Sequence, residues 1–251
     1  PQCSACFILS VSDNMESILE WISTEAMIFK GGSGAGINLS TLRSKRESLS
    51  QGGRASGPVS FMRGADSVAG MIKSGGTTRR AAKMVVLNID HPDIMEFIRC
   101  KAEEENKIRA LASAGYNMAD LNNEAWTSIQ FQNANNSVRI TDDFMRAAEA
   151  GKEWETKFVK TGETADTYQA QEVLNEIAKA AWECGDPGVQ FDTIINNWHT
   201  CPNSGRINGS NPCSEYMFLD NSACNLASIN LMKFLGADGS FILNNLVHCG
   251  H

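Results

Sequence analysis

Two short, mostly apolar runs constrain this chain most: residues 6–11 (Cys6-Phe7-Ile8-Leu9-Ser10-Val11) and 84–89 (Met84-Val85-Val86-Leu87-Asn88-Ile89). Both are bounded by polar residues and too short for a helix, the pattern of strands buried on both faces. Each leads into a helix signal. After the first, Met15, Ile18, Leu19, Ile22, Ala26 and Phe29 recur at helical spacing, with Ser12 or Asp13 as cap and Gly31-Gly32 as terminator. After the second, Asp90-His91-Pro92 opens a helix expected to end near Arg99, with Pro92 in its first turn. A third helix is predicted over 165–183, closed by Gly185-Asp186-Pro187-Gly188 and followed by Val189-Gln190-Phe191. Strands alternating with helices predict an α/β fold with a parallel sheet.

The intervening stretches are less regular. A glycine-rich tract covers 31–76, with one helix predicted inside it at 59–72. Residues 103–137 are rich in Asn, Glu and Gln and read as a surface insertion. A short strand at 138–140 precedes a helix capped within Thr141-Asp142-Asp143. With 251 residues the chain can bury a full core without disulfide or metal. Its net charge of −7 argues against a nucleic-acid or anionic-membrane binder, whose affinity rests on Lys and Arg. No apolar run reaches the roughly 18 residues of a membrane span, and a cytoplasmic location is expected. The start at Pro1 and the stop just after the apolar residues 241–247 read as cut ends of something longer.

Eight cysteines at irregular spacing do not make a disulfide scaffold. Cys3-Ser4-Ala5-Cys6 could be a redox pair or half a zinc site. Zinc would then need ligands without regular spacing from His199, Cys201, His248, Cys249 or His251, and no metal site is assigned. Gly32-Ser33-Gly34-Ala35-Gly36 follows a helix, the wrong context for a dinucleotide fingerprint. Gly75-Gly76-Thr77-Thr78-Arg79-Arg80 suits a phosphate contact or an ordinary surface turn. Finally, if Asn211-Pro212-Cys213-Ser214-Glu215 is extended, alternation puts an amide, a thiol and a carboxylate on one face. Such a trio can orient, exchange hydrogen and accept a proton, or be a polar loop with an incidental cysteine.

The last motif, together with Ser222-Ala223-Cys224-Asn225-Leu226-Ala227-Ser228-Ile229-Asn230-Leu231, resembles the active-site stretch of ribonucleotide reductase large subunits. The resemblance is strongest to the adenosylcobalamin-dependent class II enzymes. It extends through Ser4-Ala5-Cys6-Phe7, Ser56-Gly57-Pro58-Val59-Ser60-Phe61-Met62, residues 74–84 and residues 87–93, in family order, and stops near 241–251. It implies part of a ten-stranded α/β barrel with a central finger loop, and ribonucleoside-diphosphate reduction that this chain would not complete alone. Cys213 matches the radical cysteine, Glu215 the base, Asn211 the substrate-positioning amide, and Cys6 with Cys224 the electron-donating pair; Cys3 is a bystander. Ala5, Gly34, Pro212 and Ser214 fall on further substrate contacts.

The same resemblance puts Asp13, Lys30 and Arg43 at a deoxynucleoside triphosphate effector site, expected to cluster at the start of the first helix. The loop from Gly75 to Arg80 falls where effector identity reaches the substrate. Implied partners are a ribonucleotide, the effector, a thioredoxin-like reductant and a second copy of the chain. Three other readings stay open: a class I subunit with a separate radical-generating partner, a noncatalytic nucleotide regulator and a thiol or zinc module.

Overall fold

The structure, a computed structural model, describes residues 3–72, 81–120, 124–236 and 238–242. The two apolar runs form β1 (Cys6–Leu9) and β3 (Lys83–Asn88), and between them lies β2 (Gly34–Asn38). β4 (Ala134–Ile140) and β7 (Gly188–Phe191) continue the sheet on one side, and β8 (Ser222–Cys224) closes the other edge. The spatial order is β7-β4-β3-β2-β1-β8, parallel throughout except for antiparallel β8. A two-stranded hairpin, β5 (Glu153–Lys157) with β6 (Thr164–Gln169), stands apart. Among the described residues the sheet has six strands and does not close on itself; the ten strands of the expected barrel would need residues beyond them.

Several boundaries differ from the sequence reading. The glycine tract contains β2 as well as the helix α2 (Pro58–Met71), because Gly34 and Gly36 serve close approach and not turning. α1 (Met15–Lys30) is capped by Asn14, whose side chain accepts from the Ser17 N–H; Asp13 is instead drawn to Arg43. Its buried face is Ile18, Trp21, Glu25, Ile28 and Phe29, rotated from the expected stripe, so Met15 and Leu19 are exposed. α3 (Ile94–Ser113) runs well past Arg99, with Pro92 just outside it. Within 103–137, the first residues therefore prolong α3 and the last four belong to buried β4. The helix expected over 165–183 begins only at Ala170, as α5 (Ala170–Cys184), because residues 164–169 pair in the hairpin. Thr141 caps α4 (Asp142–Glu149) and Gly185 ends α5 in the left-handed region, both as the sequence predicts.

Strand alternation gives the sheet two unlike faces. Ala35, Ile37, Val85, Leu87, Val138 and Ile140 turn toward the helices and build the core. Cys6, Gly34, Gly36, Asn38, Asn88, Asn135, Ser137, Arg139 and Gln190 take the other face, along with the apolar Ile8, Met84 and Val86. Parallel strands covered on both sides are usually apolar throughout. So many polar groups on one face mean that something polar crosses it.

On the helix side, Lys83 of β3 meets Glu25 of α1, and both side chains are almost fully buried. Burial pushes the Glu25 carboxyl up, and the Lys83 charge opposes it. Removing one member of such a pair strands the other. Lys83→Ala in the full-length protein is therefore expected to lose about 3–5 kcal/mol of stability in urea unfolding. A loss under about 1 kcal/mol, the range of an exposed pair, would show that Glu25 is neutral or solvated there.

Candidate active site

The polar face is crossed by residues 207–214, which run over β2 in the direction opposite to the strand. Asn38 Nδ2 donates to the Asn208 carbonyl at 2.8 Å. Next, Ser210 passes directly over Gly36: a Cβ there would lie 1.7 Å from the Ser210 carbonyl oxygen. Then Pro212 lies over Gly34, where a Cβ would come within 2.6 Å of its ring, and Asn135 Nδ2 donates to the Pro212 carbonyl at 3.0 Å. A buried segment with no ladder partner must have its backbone groups met some other way. Here the side chains of β2 and β4 meet them, and two glycines make the room.

The segment ends in a turn and not in the extended run expected from the motif. The Ser214 N–H donates to the Asn211 carbonyl, and Asn211 N–H to the Tyr216 carbonyl, closing the loop. Ser214 itself has φ 63°, in the left-handed region, where a non-glycine residue is held only by its surroundings. The turn leaves Cys213 and Glu215 exposed while Asn211 is fully buried. Asn211 Oδ1 accepts from the Tyr216 N–H at 3.0 Å, but its Nδ2 has no hydrogen-bond partner.

Cys6 and Cys224 are directly opposed across β1 and β8. Opposed Cα atoms in an antiparallel pair sit about 4.5–5.5 Å apart, inside the span a disulfide bridges. Both thiols are free, on the face that the 207–214 segment crosses. Cys6 is also in register with Gly34, so Pro212, and Cys213 after it, stand one strand away. Burial, the Cys6 thiol and the Glu215 carboxylate push the Cys224 thiol above its ordinary range. These groups favour the protonated thiol over the thiolate. Cys3 is exposed and outside this pairing. Ala5 and Gly34 bond to each other through backbone, and the Ala5 N–H reaches the Cys224 carbonyl.

The expected effector trio divides. Asp13 Oδ2 accepts from Arg43 Nε at 2.7 Å, and Lys160, from the hairpin loop, approaches the same oxygen at 3.0 Å. These bonds hold the Asp13 carboxyl below its usual range despite burial. Lys30 lies at the opposite end of α1, roughly 22 Å away at 1.5 Å per residue, so it does not join them. The Gly75–Arg80 loop lies outside the described residues, as do His248, Cys249 and His251. Among the described residues no three His, Cys, Asp or Glu side chains gather as a metal site, and no helix is long and apolar enough to cross a membrane.

The sequence reading missed Lys160, Asn135, Arg139 and Gln190. A polar residue between apolar neighbours in a strand was the available signal for Arg139, between Val138 and Ile140, and for Gln190, between Val189 and Phe191.

Comparison with known proteins adds an independent finding. Residues 4–249 match a family model described as the ribonucleotide reductase barrel domain, a match that runs on into the 241–251 tail. A vitamin B12-dependent ribonucleotide reductase of Streptomyces clavuligerus is 65% identical over 238 residues, covering 95% of this chain and 25% of that protein. One from Rhodopirellula baltica is 61% identical over 243 residues, covering 96% and 23%. A vitamin B12-dependent ribonucleoside-diphosphate reductase of Mycobacterium tuberculosis is 37% identical over 237 residues, covering 94% and 31%. The chain thus spans about a quarter to a third of the length of these relatives.

Proposed function

This chain belongs to the ribonucleotide reductase barrel-domain family, and on that footing we propose that it carries the radical and redox centre of an enzyme that reduces ribonucleotides to 2′-deoxyribonucleotides. The observation that carries the reading is the opposition of Cys6 and Cys224 one strand from the turn bearing Cys213. Cys213, as a thiyl radical, takes the 3′-hydrogen of the ribose. Glu215 accepts the 3′-hydroxyl proton, and the 2′-hydroxyl leaves as water with a proton from the thiol pair. The Cys6–Cys224 dithiol supplies two electrons and two protons in all and becomes a disulfide. The second thiol hydrogen ends on C2′, Cys213 returns its hydrogen to C3′, and Glu215 returns its proton to the 3′-oxygen. The raised Cys224 pKa supports its part, since the departing hydroxyl needs a protonated donor. The unpartnered Asn211 amide supports a hydrogen bond to substrate, because a buried donor left unmet is costly.

Cobalamin, named in the relatives, would supply the radical that oxidises Cys213 when bound. An exposed thiol at the tip of a held turn fits that requirement, since it must be reached from outside the chain. No residue of this chain is assigned to hold the cofactor. Asp13 and Arg43, with Lys160 beside them, are proposed to meet the ribose and phosphates of a deoxynucleotide effector. A thioredoxin-like protein would re-reduce the disulfide, and a second copy of the enzyme is a proposed partner. The test is product formation by the full-length enzyme. Deoxynucleotide should appear with adenosylcobalamin and a dithiol and without a second subunit. Turnover that ignores cobalamin but needs a di-metal partner would assign the enzyme to class I.

A further inference from the structure

Behind the Cys213 turn lies a polar cluster that the proposed chemistry does not use. Arg139 of β4, 1% exposed, donates from Nε to Asp192 Oδ1 at 2.8 Å and from Nη1 to Gln190 Oε1 at 3.1 Å. Its Nη2 donates to the Ile207 carbonyl, where the crossing segment starts. Gln190 of β7, also buried, donates from Nε2 to Ser210 Oγ at 2.7 Å and to Ser214 Oγ at 3.2 Å. Ser210 Oγ donates onward to the Asn211 carbonyl at 3.0 Å. The direction of this chain is set by chemistry. A guanidinium has only donors, so the Gln190 oxygen must face Arg139 and its NH₂ must face the two serines. Asp192, which also pairs with Arg206, balances the buried charge.

We infer that Gln190, oriented by Arg139, is a positioning residue that holds the Cys213 turn in register for hydrogen abstraction. It grips Ser210 and Ser214, the residues on either side of the Asn211-Pro212-Cys213 segment, and one of them is Ser214 in its left-handed conformation. Gln190 reaches the turn from β7, separated from β2 by β4 and β3, so the turn is fixed from below by the glycines and from the side by this amide. The inference rests on the reading of Cys213 as the radical residue.

Gln190→Met in the full-length holoenzyme keeps length and burial but removes both hydrogen bonds to the serines. Its kcat should fall by about 10- to 100-fold, the effect of a misplaced reacting group, with ribonucleotide KM within about threefold. Ser210→Ala should lose a smaller factor, and the double variant should be no slower than Gln190→Met alone, since both break one chain of contacts. A kcat within about threefold of the parent, a loss carried by KM, or losses that multiply in the double variant would each overturn the assignment. If Gln190→Met does not fold, Ser210→Ala alone decides: an unchanged kcat overturns it. Cys213→Ser measured alongside separates the two claims. An inactive Cys213→Ser with a normal Gln190→Met defeats only the positioning role, whereas an active Cys213→Ser removes the premise.

Discussion

Replacing Cys213 with serine in the full-length enzyme is expected to abolish deoxynucleotide formation while leaving ribonucleotide binding largely intact. A serine hydroxyl preserves the shape of the turn, and at an exposed position it strands no buried polar group. Its O–H bond, however, is far stronger than S–H and does not surrender a hydrogen atom to the radical that a thiol quenches. The loss should therefore sit in kcat and not in substrate dissociation, the pattern of a group needed only in the chemical step. Turnover by equilibrium-checked Cys213→Ser enzyme would show that this cysteine is not the radical residue, and with it would go the assignment of Glu215 and Asn211.

Gly36→Ala should be nearly as damaging, for a reason that involves no chemistry. The new methyl would sit 1.7 Å from the Ser210 carbonyl oxygen and 2.9 Å from its carbon, both backbone atoms. β2 is a central strand and cannot retreat, so the crossing segment must lift and carry the Cys213 turn with it. Overpacking a well-filled interior costs about 1–3 kcal/mol, and a backbone clash belongs at the upper end or beyond. Displacing the turn by about 1 Å would lower turnover by on the order of 100-fold. Gly64→Ala is the matched control: it lies in α2 with open space around its Cβ position, where alanine favours the helix. Equal thermal midpoints and equal turnover for the two variants would mean that residues 207–214 do not lie on β2.

The split between legible and illegible parts follows from the range of the forces involved. Local signals carried the helix caps at Thr141 and Gly185, the strand character of β1 and β3, and the α/β class, because each rests on contacts within a few residues or on a period along the chain. The identities of Cys6, Asn211, Cys213, Glu215 and Cys224 as a candidate set were also legible, as motifs in a recognisable order. Their arrangement was not. The Asn211 to Glu215 motif looked extended because alternation assumes a strand, whereas Asn211 bonds to Tyr216 and folds the segment into a turn. Lys30 resembled a member of the effector trio, yet one helix length separates it from Asp13, whose place beside Arg43 Lys160 fills from a distant hairpin. β2 was hidden for the same reason: Gly34 and Gly36 weaken a strand in isolation, and only Ser210 and Pro212, lying across them from far along the chain, explain why no side chain fits there. By itself the sequence determined which chemistry the chain has at its disposal. The tertiary structure decided which groups meet, because bringing Cys224 opposite Cys6 and Pro212, next to Cys213, over Gly34 depends on sheet order and strand register, which no local pattern encodes.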